Sequence, residues 1–135
     1  MPSFPYVMEK VRDGFVLRPK IPVAVSYGGN RLEAYGVIDS GSDVTILPSD
    51  IAKSLGIALT GKQSDVEGVG GSLKVIVDFV NLSVGGNLLA HATICIPAED
   101  SGLKHFILGH NPLFKEFNIT FEYNAKRMVL NRVRH

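Results

Sequence analysis

Turn-forming glycines cut this chain into short segments, and that punctuation limits what it can fold into. Gly28-Gly29-Asn30 separates Ile21–Tyr27 from Arg31–Ile38, and Gly85-Gly86-Asn87 separates Val80–Val84 from Leu88–Ile96. The flanking runs are rich in β-branched and aliphatic residues, so each pair reads as a hairpin. Asp13-Gly14 between Phe4–Val11 and Phe15–Arg18 is a third such signal, and Tyr123-Asn124-Ala125-Lys126 between Ile119–Glu122 and Arg127–Asn131 a fourth. A longer hairpin runs from about Ser64 to Phe79, with glycines at 68, 70 and 71. Val44–Leu47 and Phe106–Leu108 add two short apolar strands. Only two stretches read as helix. Ser49–Leu55 is closed by Gly56, and a second starts at Asn111-Pro112, with Asn as N-cap and Leu113, Phe114 and Phe117 on one face. The expected class is all-β with two short helices.

A chain of 135 residues suits one domain, residues 1–135, and no linker or repeat divides it. Fourteen basic against 13 acidic residues argue against a nucleic-acid surface, and the basic cluster at Arg127–Arg134 reads as a solvated tail. The single cysteine, Cys95, excludes an intrachain disulfide and fits a buried strand position in Ala92–Ile96. No stretch approaches about 20 apolar residues, and Glu9, Lys10, Arg12 and Asp13 interrupt any leader-like run. A cytoplasmic protein with no membrane partner is expected.

The chemistry concentrates in three places. Val37-Ile38-Asp39-Ser40-Gly41-Ser42-Asp43 reads as a buried strand ending in a loop with a carboxylate; Glu67-Gly68-Val69-Gly70-Gly71-Ser72 is a glycine-rich hairpin tip; Ile107-Leu108-Gly109-His110-Asn111 runs into a helix. In this order and spacing they resemble the retropepsin-like aspartic proteases, the single-lobe family that includes retroviral proteases. The resemblance spans about Arg18 to Phe121.

The resemblance implies a closed single-lobe barrel with a flap hairpin, no cofactor and no metal. Its function would be peptide-bond hydrolysis in a peptide or protein substrate. Because the chain has one such loop, it also implies a homodimer in which each copy donates one Asp39. Asp39, Ser40 and Gly41 would form the catalytic loop, with Ser40 bonding across the two-fold axis and Gly41 allowing a sharp turn and close approach of substrate. Gly41, Asp43, Gly68, Val69, Gly70 and Ile107 would contact substrate. Ser42 would donate to the carboxylate and favour its ionised form. His110 stands where retroviral members carry an Arg that pairs with the Asp43 position. Residues 1–17 form an N-terminal extension. The hairpin at 119–133 is longer than a viral terminal strand and would supply the dimer interface, as in cellular members of the family.

Competing patterns are weaker. Asp100-Ser101-Gly102 has polar flanks and no leading strand, so it reads as a surface turn. Gly56–Gln63 nearly spells a phosphate-binding loop, but Gln63 replaces the Mg²⁺-binding hydroxyl and no helix follows. His91 with Cys95 makes only half a zinc site. His105 is retained as a substrate contact; with Val44, Ile46, Val69 and Ile107 it suggests largely apolar side-chain pockets. The alternative to a peptidase is a catalytically silent dimerisation or peptide-binding module on the same fold.

Overall fold

A computed structural model describes residues 2–68, 71–98 and 103–134. Val69, Gly70 and the Asp100-Ser101-Gly102 turn lie outside the described residues.

Strands β1 (Ser3–Pro5), β2 (Val7–Val11), β3 (Gly14–Arg18), β4 (Lys20–Tyr27) and β5 (Asn30–Ile38) lead to helix α1 (Ser49–Ser54). Then follow β6 (Gln63–Gly68), β7 (Gly71–Val84), β8 (Asn87–Pro97), β9 (Phe106–Leu108), helix α2 (Leu113–Glu116), β10 (Phe117–Glu122) and β11 (Arg127–Arg132). The chain is mostly β with two short helices, as the turn punctuation implies. Gly28 and Gly29, and Gly85 and Gly86, have positive φ, which explains the glycine pairs at the two tight turns.

The largest sheet runs β6-β7-β4-β5-β9, with β8 on the other side of β7. Segment 44–47 links its ends: Ile46 bridges Cys95 on β8 and Ile107 on β9. The order β8-β7-β4-β5-β9 thereby returns to β8 through Ile46. Val44–Leu47 is therefore held by single bridges to separate neighbours and not as a regular strand.

Three other expectations change. Phe79 and Val80 belong to one 14-residue strand, because no turn residue interrupts β7; only a register shift between Val80 and Leu82 marks it. The Phe4–Val11 run splits at Tyr6: β1 pairs with β11, while β2 pairs with β3. The cap of α2 is Pro112, without a side-chain cap bond, because Asn111 lies one residue further out, where its carbonyl accepts from Thr45. Phe117 is extended and opens β10.

The core is aliphatic and continuous. Ile21, Leu47, Leu82, Ile94, Leu108 and Leu130 are among its fully buried members, each contributing about 1.5–3 kcal/mol of burial. Pro22 sits in β4 opposite Tyr35 of β5, one residue before pairing with β7 begins at Val23, so its missing N–H falls outside that second ladder. A smaller cluster of Ile46, Val75 and Cys95 lies under the β6–β7 hairpin, and Cys95 is a buried free thiol, as its apolar strand context suggests. The three-stranded sheet β1-β11-β10 leaves β10 as an edge. No helix among the described residues is long and apolar enough to cross a membrane.

Candidate active site

Val37 and Ile38 pair in parallel with Ile107 and Leu108, bringing two of the three motifs together although about 70 residues separate them. Asp39 N–H donates to the Leu108 carbonyl at 3.0 Å, so the carboxylate leaves the sheet at a fixed point. The chain then turns, with Ser42 N–H on the Asp39 carbonyl at 3.2 Å. Gly41 N–H donates to Asp39 Oδ1 at 2.9 Å. One carboxylate oxygen is thus oriented by the backbone of its own loop.

A side chain at Gly41 would press on the carboxylate. Its φ is not in the left-handed region, but a Cβ there would lie 3.2 Å from Asp39 Oδ1. Ser40 and Gly41 are exposed and Asp39 is half-buried, so the loop presents its carboxylate and hydroxyl outward. Ser42 does not support the carboxylate as expected. Its hydroxyl has one proton and donates it to the Val44 carbonyl at 2.7 Å; the Gly41 amide takes the supporting role.

The third motif clamps the loop from below. His110 N–H donates to the Ser42 carbonyl at 2.8 Å and Asn111 N–H to the Asp43 carbonyl at 3.1 Å. The His110 ring lies against Phe114, with centroids 4.9 Å apart, and its Nε2 is 2.6 Å from the Ser40 carbonyl. A carbonyl only accepts, so Nε2 carries the proton. His110 therefore grips the backbone at Ser40 where the viral Arg would pair with the Asp43 side chain; Asp43 is exposed.

Thr45 is the residue of this loop that motif reading misses. It is 0% exposed, the one buried polar residue among those described. Its Oγ1 donates to the Asn111 carbonyl at 2.9 Å and accepts from Gly109 N–H at 3.2 Å. A single hydroxyl thus joins the Asp39 loop to the Gly109 turn. The signal was a polar residue inside the apolar run Val44–Leu47, where a buried hydroxyl must find partners. Gly109 allows the contact: a Cβ there would sit 2.1 Å from the Val44 carbonyl oxygen and 2.6 Å from that of Ser42.

A cleft of about 170 Å³ opens beside Asp39, lined by Arg18, Lys20, Val37, His105 and Ile107. His105 and Ile107 both line this cleft. The apolar character expected of the pocket holds only for the floor, Val37 and Ile107; the rest of the lining is the Asp39 carboxylate itself, the cations Arg18 and Lys20 delivered by β3 and β4, and His105. Val44 and Ile46 face the small core instead. Glu9 hydrogen-bonds Lys20, and Arg18 Nε lies 3.7 Å from its Oε1. The Lys20 hydrogen bond, with help from Arg18 and His105, holds the Glu9 carboxyl below the usual range despite an opposing desolvation effect.

The β6–β7 arm brings Gly68 opposite Gly71, and every residue of β6 except Val66 is exposed. The near-phosphate loop runs into β6, a strand and not a helix, which removes the nucleotide reading. His91 stacks on Phe79 at 4.3 Å, remote in the ladder from Cys95. Among the described residues no group of three His, Cys, Asp or Glu side chains could hold a metal ion.

No protein-family model matches this chain, and no curated protein matches it. Among solved structures it is similar to the EIAV protease complexed with the inhibitor HBY-793, with a TM-score of 0.55 and 19% identity over 81% of this chain and 93% of that one. With the Asp39 loop after β5, the parallel β5–β9 pairing and the ring closed through Ile46, this likeness shows that the chain has a retropepsin-like fold.

Proposed function

We propose that this protein is an aspartic endopeptidase that works as a homodimer, with one Asp39 from each copy. The observation that carries the reading is the Asp39 loop: an outward carboxylate, oriented by the Gly41 amide, on a backbone clamped by Leu108 and His110. A scaffold has no need of a carboxylate held this way.

Two carboxylates about 3 Å apart share one proton, and their titration belongs to the pair. The ionised one accepts a proton from a water between them as the water oxygen bonds to the scissile carbonyl carbon. The protonated one donates to the carbonyl oxygen, giving a gem-diol. Collapse breaks the C–N bond, with a proton passing to the leaving nitrogen. Ser40 bonds across the axis, and the β6–β7 arm, with Gly68, Val69 and Gly70 at its end, closes over the peptide and excludes water. Gly41, Asp43 and Ile107 contact the peptide from below.

The 119–133 hairpin supplies the dimer contact. β11 has a neighbour on each side, so the edges of this sheet are β1 and β10, and β10, with six residues against three, is the longer one to offer a second copy. Phe121 and Tyr123 on this hairpin are 42% and 63% exposed, as expected of side chains a partner covers.

The test is cleavage of a peptide library across pH, with and without pepstatin. Wild type should cleave, and Asp39→Asn should lower the rate by at least about 10³-fold. Cleavage that survives Asp39→Asn overturns the mechanism. Absence of cleavage at every pH, with an intact dimer, favours the silent binding module. A chain ending after Thr120 that still dimerised normally would remove the interface from the hairpin.

A further inference from the structure

We propose that the β2–β3 ribbon, residues 7–18, is a second contact surface for another copy of this chain, and that its outward face packs on that copy in the dimer. The inference rests on the homodimer of the proposed function but on none of its chemistry.

The ladder fixes which side chains share a face. Met8 pairs with Leu17 and Lys10 with Phe15, so these four project from one side; Val7, Glu9, Val11, Val16 and Arg18 project from the other. The second face is half-buried, and the Glu9 hydrogen bond to Lys20 ties it to β4. The first is open. Met8 is 64% and Phe15 67% exposed, and as diagonal neighbours across the ladder they form one apolar patch. Among the described residues neither strand pairs with a third, and no side chain of the ribbon joins either apolar cluster of the interior. A two-stranded ribbon is marginal by itself, and an apolar face on it needs cover.

The two roots of the ribbon say what covers it. β2 follows Tyr6, whose N–H donates to the Lys126 carbonyl at 2.9 Å and whose ring meets Tyr123 edge-on at 5.7 Å, both in the β10–β11 turn. β3 ends at Arg18, which lines the cleft with Asp39. A dimer that joins two Asp39 loops and pairs at β10 brings the second copy to both roots, and the ribbon spans the space between them. Size agrees. A stable interface takes about 20–30 residues a side. The 119–133 hairpin has 15, with Met128 and Leu130 committed to this chain's own core; residues 7–18 bring the surface to 27.

Sedimentation equilibrium of the full chain reads the dimer dissociation constant without any cleavage. Covering an exposed Phe or Met side chain is worth about tenfold in affinity, and a two-fold dimer makes each contact twice. Phe15→Ser should therefore raise Kd about a hundredfold, and Met8→Ser nearly as much, with unchanged circular dichroism because both side chains lie outside the core. Leu88→Ser, at a side chain 58% exposed on β8, should change Kd by less than about fivefold. As a second measurement, Phe15→p-benzoylphenylalanine is irradiated in an equal mixture of ¹⁵N-labelled and unlabelled chains, and should give cross-links that join one chain of each kind. A Phe15→Ser Kd within about fivefold of wild type, an equal loss from Leu88→Ser, or cross-links confined to a single chain overturns the proposal. So does an intact Phe15→Ser dimer whose Asp39→Asn form retains fewer library peptides than Asp39→Asn alone, which assigns the face to substrate. A wild type that stays monomeric at every concentration removes the homodimer and this proposal with it, whereas failure to cleave peptides counts against the peptidase alone.

Discussion

Replacing Thr45 by Val removes one oxygen atom from the interior and orphans two backbone groups. Thr45 is fully buried, and its Oγ1 serves Gly109 N–H at 3.2 Å and Asn111 C=O at 2.9 Å. Valine has nearly the same shape but offers neither donor nor acceptor. A buried group stripped of its partner costs about 1–3 kcal/mol, and Asn111 is only partly buried, so the pair should cost about 2–4 kcal/mol. The added methyl recovers little, because it lies between an amide and a carbonyl. For a domain of this size the loss lowers the melting temperature by roughly 10 °C, or moves the urea midpoint down by about 1–2 M.

The assay is urea denaturation at one fixed protein concentration, since dimerisation would otherwise shift the midpoint. Thr45→Ser is the control: it keeps the oxygen, loses one methyl and should cost about 1 kcal/mol. On the proposed peptidase function, cleavage should fall further in Thr45→Val than stability alone explains, because the hydroxyl also fixes the loop that carries Asp39. A Thr45→Val protein within about 0.5 kcal/mol of wild type, or a Thr45→Ser protein equally damaged, refutes the reasoning.

Other perturbations follow from the same geometry. Gly109→Ala puts a Cβ 2.1 Å from a backbone oxygen that cannot move away without opening the Asp39 loop, so it should destabilise by more than about 3 kcal/mol, measured by the same titration. Cys95 has its thiol pKa raised by burial above the ordinary 9.0, so the unfolded chain loses its proton first; stability should fall as pH rises past that value, and Cys95→Ala should flatten the decline. Glu9 has its carboxyl pKa lowered chiefly by the Lys20 hydrogen bond. Its contribution is present above the ordinary 4.5 and lost as pH falls through the lower folded value, so Glu9→Gln should lessen the acid dependence of the urea midpoint.

The parts of this fold that were readable in advance are those whose cause is local. A glycine pair can take positive φ without steric cost, so between two β-type runs the hairpins at Gly28-Gly29 and Gly85-Gly86 follow from the residues themselves. Val44–Leu47 looked like a strand because its side chains are apolar. Whether a segment has a strand beside it or only isolated bridges depends on residues about 50–70 positions away, and composition does not carry that. The fate of β1 is similar: nothing in Ser3-Phe4-Pro5 names β11 as its partner.

The same division separates the two halves of the site. Asp39, Gly41, Leu108 and Gly109 are constrained by backbone geometry: an amide on a carboxylate, a carbonyl accepting Asp39 N–H, and a Cβ that would collide with a carbonyl oxygen. Such constraints tolerate few substitutions and leave a motif. Arg18, Lys20, His105 and Glu9 are constrained only by the field they create, which many residues at many positions could supply. They leave no motif, and each reads as an ordinary charged or polar residue on a strand or beside one. Only the fold brings β2, β3 and β4 against Asp39. A loop held by backbone geometry can thus be legible from a few residues while the charges gathered around it are not.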